Sequence, residues 1–527
     1  MTSLVRGSAL HTVLGACVLV LVLPLLTTRG RVGGDELDVY LRMVEFQSSG
    51  AGLWEFISTF SYGDFIFRHR LVWFLEQVTV VEAYARLTAW FGGQTKPVVR
   101  EFLVAYSHTL LVWTAVLLSA AYIWKHSGVR KWHTVLLVYL VWFGGCGLFF
   151  LTGNFVECGM ALLVVLRLVT VRAAQPIGRS RMAALVAIDC ILIAIKPYSV
   201  VFCILTLPSF WPDGKERARF LGTYAFGLTL VLTPWMFMNG ASGSVAVYSS
   251  LPWSLSPVTI GERLVHSLLS PAFGVIWAFP ALAFAAFSGK GCLRPLAVKG
   301  VALLSCLLIF CSLPFWHGQV AGNRYLFPFL LFLLPEISRG FLRLLRAQPK
   351  FAWVVPALTL AFGPSIEFRN TAVMEYSEGT VLSHRGDPSL APSGTVSQPD
   401  RSLRSRIFSD ELPLLYDPSF HPAIFAWRVT LGKWIGAKEF RLANSLQDEV
   451  EMRAVYPMTA VSRVIFLLAE RPKIGTDAIH VLEEAGLGSV VLWEVFRAIL
   501  VSIYLALVTV ACIHATRSPL ASHDSFP

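Results

Sequence analysis

Charge is scarce in this sequence. Only 15% of its 527 residues are Asp, Glu, Lys or Arg, whereas 55% are hydrophobic and the mean hydropathy is +0.62. Soluble globular proteins carry roughly 25% charged residues, so the composition excludes an ordinary water-soluble domain and predicts an integral membrane protein. The net charge of +11 does not indicate nucleic-acid binding, because the basic residues fall in short loops between apolar runs, where they report topology.

Familiar nucleotide, metal and glycosylation motifs are also missing. The sequence contains no Walker loop, no Gly-rich dinucleotide fingerprint and no N-x-S/T sequon. Its nine cysteines lie inside or at the edge of apolar segments without metal-ligand spacing, which argues against a disulfide scaffold and against a zinc site. No internal repeat is visible either, and this absence disfavours a secondary transporter.

The first apolar run, Ala9 to Leu26, is long enough to cross a bilayer at about 1.5 Å per residue. No small-x-small cleavage site follows it, so we expect a retained anchor rather than a cleaved signal peptide. Arg6 precedes the run, and the positive-inside rule therefore places the N-terminus in the cytoplasm and Asp35 on the far side of the membrane.

Similar apolar runs recur along the chain and predict about twelve membrane crossings with both termini in the cytoplasm. The inner loops hold most of the Lys and Arg residues, whereas the short outer loops hold only Lys196, Arg263 and Arg324. The predicted spans after the anchor are 102–124, 134–151, 158–171, a re-entrant pair over 183–210, 220–238, 266–288, 300–316, 325–338, 351–366 and 490–514.

This topology divides the chain into three segments. Residues 1–366 form a transmembrane module whose first outer loop, 28–100, is too long and too polar to cross. Residues 367–490 are the one stretch able to form a separate extracytoplasmic domain, which we expect to be an accessory element. Residues 491–527 supply the last transmembrane helix and a cytoplasmic tail. The predicted fold class is an all-α polytopic membrane protein.

Two juxtamembrane helices are predicted in the first outer loop. The first begins at Asp35, since the apolar positions that follow have helical spacing. The predicted apolar stripe of this helix consists of Leu37, Tyr40, Leu41 and Val44. The second helix runs from Leu71 to Trp90, with Trp73 and Trp90 suited to the headgroup zone of the membrane.

Asp35 and Glu36 are the first candidates for chemistry. An Asp that opens a helix needs no function beyond capping it. Two adjacent carboxylates at a membrane interface, however, are costly and are often functional. The sequence is compatible with two roles for Asp35, a general base and a helix N-cap. The pair could also hold a divalent metal, Mg²⁺ or Mn²⁺, because hard cations favour carboxylate oxygens, although nothing in the sequence requires one.

Cations on two other outer segments complete the candidate set. Lys196 is an isolated charge before a helix-breaking proline, and Arg324 follows a Gly-Asn turn at the start of an apolar run. A snorkelling lysine and a span-boundary arginine are the structural alternatives. Acidic residues on one loop and cations on two others describe a site for an anionic lipid headgroup such as a polyprenyl phosphate. His317, Asn154 and Glu157 are weaker candidates, since a lone polar residue near an interface is more often structural.

These residues resemble the GT-C superfamily of membrane glycosyltransferases. The likeness covers roughly residues 1–366 and rests on three motifs: Gly-Asp-Glu-x-x-x-Tyr ending at Tyr40, a mid-chain Lys-Pro-Tyr, and a late Gly-Asn-Arg-Tyr-Leu-Phe-Pro-Phe that contains Tyr325. It is closest to bacterial members related to protein O-mannosyltransferases and to the lipid A aminoarabinose and galacturonic acid transferases. The tyrosine-proline pattern often found later in the first outer loop is absent, and Phe67-Arg68-His69-Arg70 stands near its expected place.

The resemblance implies a GT-C-like glycosyltransferase in the bacterial plasma membrane, with its active site on the extracytoplasmic face. Such an enzyme moves a sugar from a polyprenyl-phosphate donor to a cell-envelope glycan, lipid or protein. It implies Asp35, beside Glu36, as the catalytic acidic residue. The substrate-binding residues expected on this basis are Tyr40, Lys196, His317, Arg324 and Tyr325. A secondary transporter or a lipid-linked glycan flippase is the alternative.

Overall fold

The computed structural model describes residues 35–58, 71–93, 97–127, 131–147, 156–171, 179–210, 216–238, 256–271, 274–289, 292–313, 323–363 and 489–517, together with the isolated positions 21, 23, 24, 27, 151, 421, 423, 424 and 427. Every regular element in this part of the chain is helical, and no strand occurs in it. The predicted all-α class is confirmed for the described residues.

The helices are numbered in chain order. They are α1 (Asp35–Ser49), α2 (Leu53–Ser58), α3 (Leu71–Trp90), α4 (Pro97–Ser127), α5 (Lys131–Val138), α6 (Glu157–Thr170), α7 (Arg179–Ile195), α8 (Ser199–Thr206), α9 (Glu216–Met238), α10 (Pro257–Leu269), α11 (Val275–Ala278), α12 (Leu282–Ala285), α13 (Leu293–Ser312), α14 (Phe327–Leu330), α15 (Leu334–Ala347), α16 (Val354–Phe362) and α17 (Ser489–Arg517). Helix α5 continues as a π-helical turn over Tyr139–Phe143, and 3₁₀ turns cover Leu207–Phe210, Leu331–Leu333 and Pro349–Trp353.

Three of these helices are long and apolar enough to cross a membrane. The qualifying stretches are Val99–Lys125 in α4, Leu293–Ser312 in α13 and Ile499–Arg517 in α17. Two further apolar stretches, Lys131–Phe143 and Pro349–Phe362, are shorter. The described chain therefore has the helices of a membrane-associated protein, while about twelve crossings and the direction of each remain predictions.

The described helices pack most closely where α4 and α6 run side by side, with α7 also packed against α6. Both α4 and α6 contribute fully buried side chains to one apolar cluster, among them Val104, Val112, Ala161 and Val164. Helix α8 packs against α13, and α5 and α16 both pack against α17. In a bilayer, close packing of this kind holds helices together, because lipid tails are as apolar as the side chains they replace.

Both helices predicted between residues 28 and 100 are present. Helix α1 begins at Asp35 and α3 spans Leu71–Trp90, as predicted. The predicted apolar stripe of α1 is wrong at Leu41, which is 55% exposed, whereas Tyr40 and Val44 pack against the core and Val39 and Met43 are buried. Helix α1 packs against α3, and this contact selects the i, i+4 pair Val39 and Met43 over the stripe expected from hydrophobicity alone.

The two tryptophans of α3 lie in different surroundings. Trp90 is 83% exposed, as a residue of the headgroup zone would be in the absence of lipid, whereas Trp73 is only 3% exposed. The expectation that Trp73 faces the headgroups is therefore wrong. Its ring lies against Gly159 of α6, where a Cβ would overlap it, so Trp73 is a packing residue that joins the first outer loop to α6.

Prolines interrupt the helices in two of the predicted spans. Helices α7 and α8 meet at Lys196–Tyr198, as predicted for the re-entrant pair, because Pro197 has no N–H to continue α7. The predicted span 266–288 is not one helix. Helix α10 ends before Pro271, and the short helices α11 and α12 follow on either side of Pro280.

Lys299 also lies elsewhere than predicted. Its place beside Lys290 and Arg294 led to the expectation of an inner-loop residue, but it lies inside α13 and is 6% exposed. Its Nζ is 2.9 Å and 2.8 Å from the two carboxylate oxygens of Glu336 and donates to the carbonyl of Phe332 at 3.0 Å. An unpaired buried lysine would be costly, and Glu336 on α15 removes that cost.

Two hydrogen bonds join residues outside the main described ranges to helices α4 and α16. Trp113 Nε1 on α4 donates to Thr27 Oγ1 at 2.8 Å, so the end of the first apolar run packs on α4. Trp427 Nε1 donates to the carbonyl of Leu360 at 3.1 Å, so part of segment 367–490 contacts α16. The rest of that segment lies outside the described residues.

Candidate functional site

Three elements that are distant in sequence bring polar side chains together. Glu157 opens α6, Lys196 lies at the break between α7 and α8, and Arg324 and Tyr325 belong to the turn before α14. Tyr198 lies at the same break as Lys196, and its ring is 6.3 Å from that of Tyr325. We call these five residues the Lys196 cluster.

The break that presents Lys196 follows from its sequence. The N–H of Lys196 still donates to the carbonyl of Leu192 at 3.0 Å and closes α7. Pro197 cannot donate, so the helical ladder stops there. The N–H of Ser199 then donates to the carbonyl of Lys196 at 2.9 Å and starts α8. The side chain of Lys196 is left at the corner between two helices and is 17% exposed.

The turn that presents Arg324 depends on an asparagine. Asn323 has a φ of +54°, in the left-handed region that Asn tolerates better than most residues. Its carbonyl accepts from the N–H of Leu326 at 3.0 Å and of Phe327 at 3.3 Å, which leads into α14. The turn is fully buried at Asn323, and Arg324 beside it is 7% exposed. The predicted Gly-Asn turn before Arg324 is thus present at its asparagine.

Lys196 and Arg324 converge on one aromatic ring. Lys196 Nζ is 5.4 Å from the centre of the Tyr325 ring, and Arg324 Cζ is 5.2 Å from the same centre. Both distances fall in the range of cation–π attraction. Lys196 Nζ is also 3.8 Å from Oε1 of Glu157, whose side chain is 2% exposed. Among the described ionisable side chains of the cluster, two are cations and one is an anion.

Aromatic side chains surround this ring. Phe310 of α13 lies with its ring centre 5.6 Å from Tyr325 and 4.7 Å from Tyr198. Phe329 of α14 lies 6.2 Å from Tyr198. The cations are therefore held beside low-polarity groups, where an anion would interact with them more strongly than in water.

A second buried ion pair lies further along α6. Arg167 Nε donates to Oδ1 of Asp189 at 2.7 Å, its Nη1 donates to Thr206 Oγ1 at 2.7 Å and its Nη2 donates to the carbonyl of Cys203 at 2.9 Å. Tyr224 donates from its hydroxyl to Oδ2 of Asp189 at 2.5 Å. These five residues, which we call the Arg167 cluster, join α6, α7, α8 and α9.

Sequence reasoning missed the Arg167 cluster. Arg167 and Asp189 are single charges of opposite sign within two successive apolar runs, and such charges in spans are expected to pair. The pairing of Arg167 with Asp189 could therefore have been predicted from the sequence. The function of the cluster cannot be read from charge alone, because every described polar group in it is bonded, as in a structural ion pair.

A further polar group links the first outer loop to this region. Glu76 on α3 accepts a hydrogen bond from Ser107 Oγ at 2.5 Å, and its other oxygen is 3.2 Å from His108 Nε2. The ring of Trp73, one turn earlier on α3, lies 5.1 Å from the His108 ring and also packs on Gly159. Helix α3 is therefore positioned against α4 and against the N-terminal end of α6. Its contact on α6, Gly159, is two residues after Glu157 in the sequence. Nothing in the sequence spacing had indicated the pairing of Glu76 with His108.

The predicted site residues fall into three groups. Lys196, Arg324 and Tyr325 lie together, as expected for one site. Tyr40 lies on α1, partly buried against the apolar core. The others lie outside the described residues: His317 entirely, and Asp35 and Glu36 in their side chains.

No group of three or more His, Cys, Asp or Glu residues that could hold a metal ion occurs in the part of the chain that the structure describes. The predicted Mg²⁺ or Mn²⁺ site at Asp35 and Glu36 remains a prediction, because those side chains are not described. Comparisons with protein-family models, with curated proteins and with solved structures found no match for this chain.

Proposed function

We propose that this protein is a polytopic glycosyltransferase of GT-C-like architecture that moves a sugar from a polyprenyl-phosphate donor to an extracytoplasmic acceptor. The acceptor is a cell-envelope glycan, lipid or protein, and the reaction takes place on the outer face of the plasma membrane. The supporting observation is the convergence of Lys196 and Arg324, from two distant segments, on the Tyr325 ring.

This convergence supports a site for the donor phosphate. Both cations contact the same aromatic ring, although like charges repel. An arrangement of this kind is stabilised when an anion binds to it. Arg matches phosphate oxygens with its planar fork and Lys supplies a point charge. The aromatic side chains around Tyr325 suit the apolar chain that follows the phosphate in such a donor.

The reaction would use the first outer loop as well. Asp35 would accept the proton of the acceptor hydroxyl while the oxygen attacks the anomeric carbon of the sugar. The bond from that carbon to the phosphate oxygen breaks, and Lys196 and Arg324 would stabilise the charge that grows on the leaving phosphate. A divalent ion bound by Asp35 and Glu36 would supply further charge stabilisation, but the proposed steps do not require one. The packing of Trp73 on Gly159 gives the loop a fixed position relative to the N-terminus of α6.

The direct test uses the purified full chain in liposomes. A panel of polyprenyl-phosphate sugars is added, and the release of polyprenyl phosphate is followed by mass spectrometry. Mass spectrometry of envelope glycans from cells with and without the protein identifies the sugar and the acceptor. Glycans that are identical in the two strains, with no donor consumed in liposomes, would refute the proposal.

A secondary transporter or flippase is the second candidate. The observation that favours it is the buried ion pair between Arg167 and Asp189, since charges inside spans often mark ion pathways. Against it, Arg167 and Asp189 are both fully buried and fully bonded. Uptake or flipping of a fluorescent polyprenyl-phosphate lipid by liposomes containing the protein, without any sugar transfer, would favour the transporter.

A further inference from the structure

Three buried ion pairs in the described chain differ in how tightly they are built. Arg167 and Asp189 approach to 2.7 Å, and Lys299 and Glu336 to 2.8 Å. Lys196 and Glu157 are 3.8 Å apart, beyond the 2.7–2.9 Å typical of a charge-assisted hydrogen bond. The pair of the Lys196 cluster is therefore loose, although Glu157 is as deeply buried as the acids of the other two pairs.

One oxygen of the Glu157 carboxylate also lacks a hydrogen bond. This oxygen, Oε1, is buried and has no hydrogen-bond partner among the described residues. In the tight pairs, both oxygens of Asp189 and both of Glu336 accept hydrogen bonds. A buried carboxylate without such bonds raises the free energy of the fold. A purely structural role does not explain why this one is kept.

The position of Glu157 suggests what it does. It faces Lys196, which also lies over Tyr325, and it is therefore next to the place that the proposed function gives to the donor phosphate. A carboxylate and a phosphate cannot both lie close to one ammonium group without repelling each other. When one binds, the other has to move away or lose its charge.

We infer that Glu157 is the resting counter-ion of Lys196 and that it competes with the phosphate of the ligand for this lysine. Glu157 thereby sets how strongly the site binds anions. It keeps Lys196 paired when the site is empty and weakens the binding of free anions, so that a ligand also needs its apolar chain to compete. This inference rests on the proposed function in taking the anion to be the phosphate of a prenyl lipid.

The test measures anion binding rather than transfer. Binding of farnesyl phosphate and of inorganic phosphate to the detergent-solubilised full chain is compared between wild type and Glu157→Gln, which removes the charge and keeps the shape. We expect the variant to bind farnesyl phosphate on the order of tenfold more tightly or better, because the negative charge that competes for Lys196 has been removed. Inorganic phosphate, which wild type should bind weakly, should gain by a similar factor.

Two further variants complete the experiment. Glu82→Gln removes the same charge elsewhere, from helix α3, and should leave both affinities unchanged. Lys196→Gln should weaken binding and, combined with Glu157→Gln, should remove most of the gain, because the two residues act on the same anion. Should Glu157→Gln not fold, Glu157→Asp draws the carboxylate back from Lys196 and should give a smaller gain in the same direction.

Each outcome decides the inference. Equal or weaker anion binding by the Glu157 variants would overturn it, and so would the failure of both wild type and variants to bind either anion. If inorganic phosphate alone binds, the ligand is a free anion and the lipid assignment is wrong. A protein that shows the expected gain but transfers no sugar in liposomes would refute the proposed function and leave the role of Glu157 standing.

Discussion

Helix α6 carries one ion pair near each end, and the two pairs differ in how completely they are bonded. Arg167 and Asp189 are both fully buried, and three further residues bond to them. Glu157, about 15 Å away along the helix axis, has one distant partner in Lys196, which is partly exposed. The first pair resembles a structural ion pair that holds helices together, and the second resembles a binding site without its ligand.

The physical difference lies in desolvation. Taking a charge out of water costs several kcal/mol, and a structural pair recovers this only with short contacts and additional hydrogen bonds. The Arg167 cluster has both. The pair of Lys196 and Glu157 has neither among the described residues. Its lysine keeps some exposure, and a second cation, Arg324, faces the same ring. Binding sites tolerate such incomplete bonding because the ligand completes it.

The largest effect is expected at Asp35. Asp35→Asn keeps the helix cap and removes the basicity, so transfer should fall by roughly 10²–10⁴-fold while the protein stays folded. Sugar transfer in liposomes measures this, and Asp38→Asn on the same helix is the matched control. Near-normal transfer by Asp35→Asn would show that the residue is only a cap and that the chemistry lies elsewhere.

Asp189→Asn should cause the largest loss of stability. It leaves the guanidinium of Arg167 buried without its counter-charge, and removing one partner of a buried pair costs about 3–5 kcal/mol. Denaturant titration in detergent measures the free energy of unfolding. If this variant is as stable as wild type, the Arg167 cluster does not stabilise the packing of its helices, and the proposal of a transporter gains support.

Lys196→Ala and Arg324→Ala should weaken donor binding. Each loses charge-assisted hydrogen bonds to the phosphate worth about 1.5–3 kcal/mol, which is roughly tenfold or more in affinity. Titration with a polyprenyl-phosphate sugar measures the change, and Arg86→Ala on α3 is a control for the loss of a positive charge elsewhere. Donor binding that is unaffected by both substitutions would leave the Lys196 cluster without a phosphate role.

Gly159→Ala should separate the first outer loop from α6. A Cβ there overlaps the Trp73 ring, and such overpacking typically costs about 1–3 kcal/mol. Gly300→Ala on α13, where a Cβ meets open space, should be neutral or slightly stabilising. Equal unfolding free energies for the two variants would mean that Trp73 does not position α3 through this contact.

The smallest effect on stability is expected for Glu157→Gln. It removes a poorly bonded carboxylate and leaves a lysine that is partly exposed to solvent, so the free energy of unfolding should change by no more than about 1 kcal/mol. The same titration that is used for Asp189→Asn provides the direct comparison. A loss as large as that of Asp189→Asn would remove the distinction between the two pairs.

Local features followed readily from the sequence. The start of α1 at Asp35, the full extent of α3 and the break at Lys196–Tyr198 depend on helical spacing and on Pro197, which act within a few residues. Features that depend on which neighbour a helix meets did not follow. Leu41 was expected to be packed and is exposed, because the contact with α3 selects a different face of α1.

The site shows the same division. Lys196 and Arg324 could be singled out because an isolated charge beside a turn or a proline can be recognised from the sequence alone. The structure places both beside the Tyr325 ring, and their role as one binding site stays a prediction. The pairing of Glu76 with His108 and the burial of Lys299 could not be foreseen. Each depends on a partner from a different helix, and no spacing within one segment encodes the contact.

The helical class, the membrane-like composition and the chemistry available at each turn follow from the sequence, because they depend on composition and on interactions between residues near each other in the chain. The packing of the helices then places Glu157 opposite Lys196 at 3.8 Å and gives Arg167, on the same helix, its full set of partners. Glu157 and Asp189 each face one cation from a neighbouring part of the chain. What separates them is the number of donors that neighbouring helices bring to each oxygen, and that number exists only once the helices have packed.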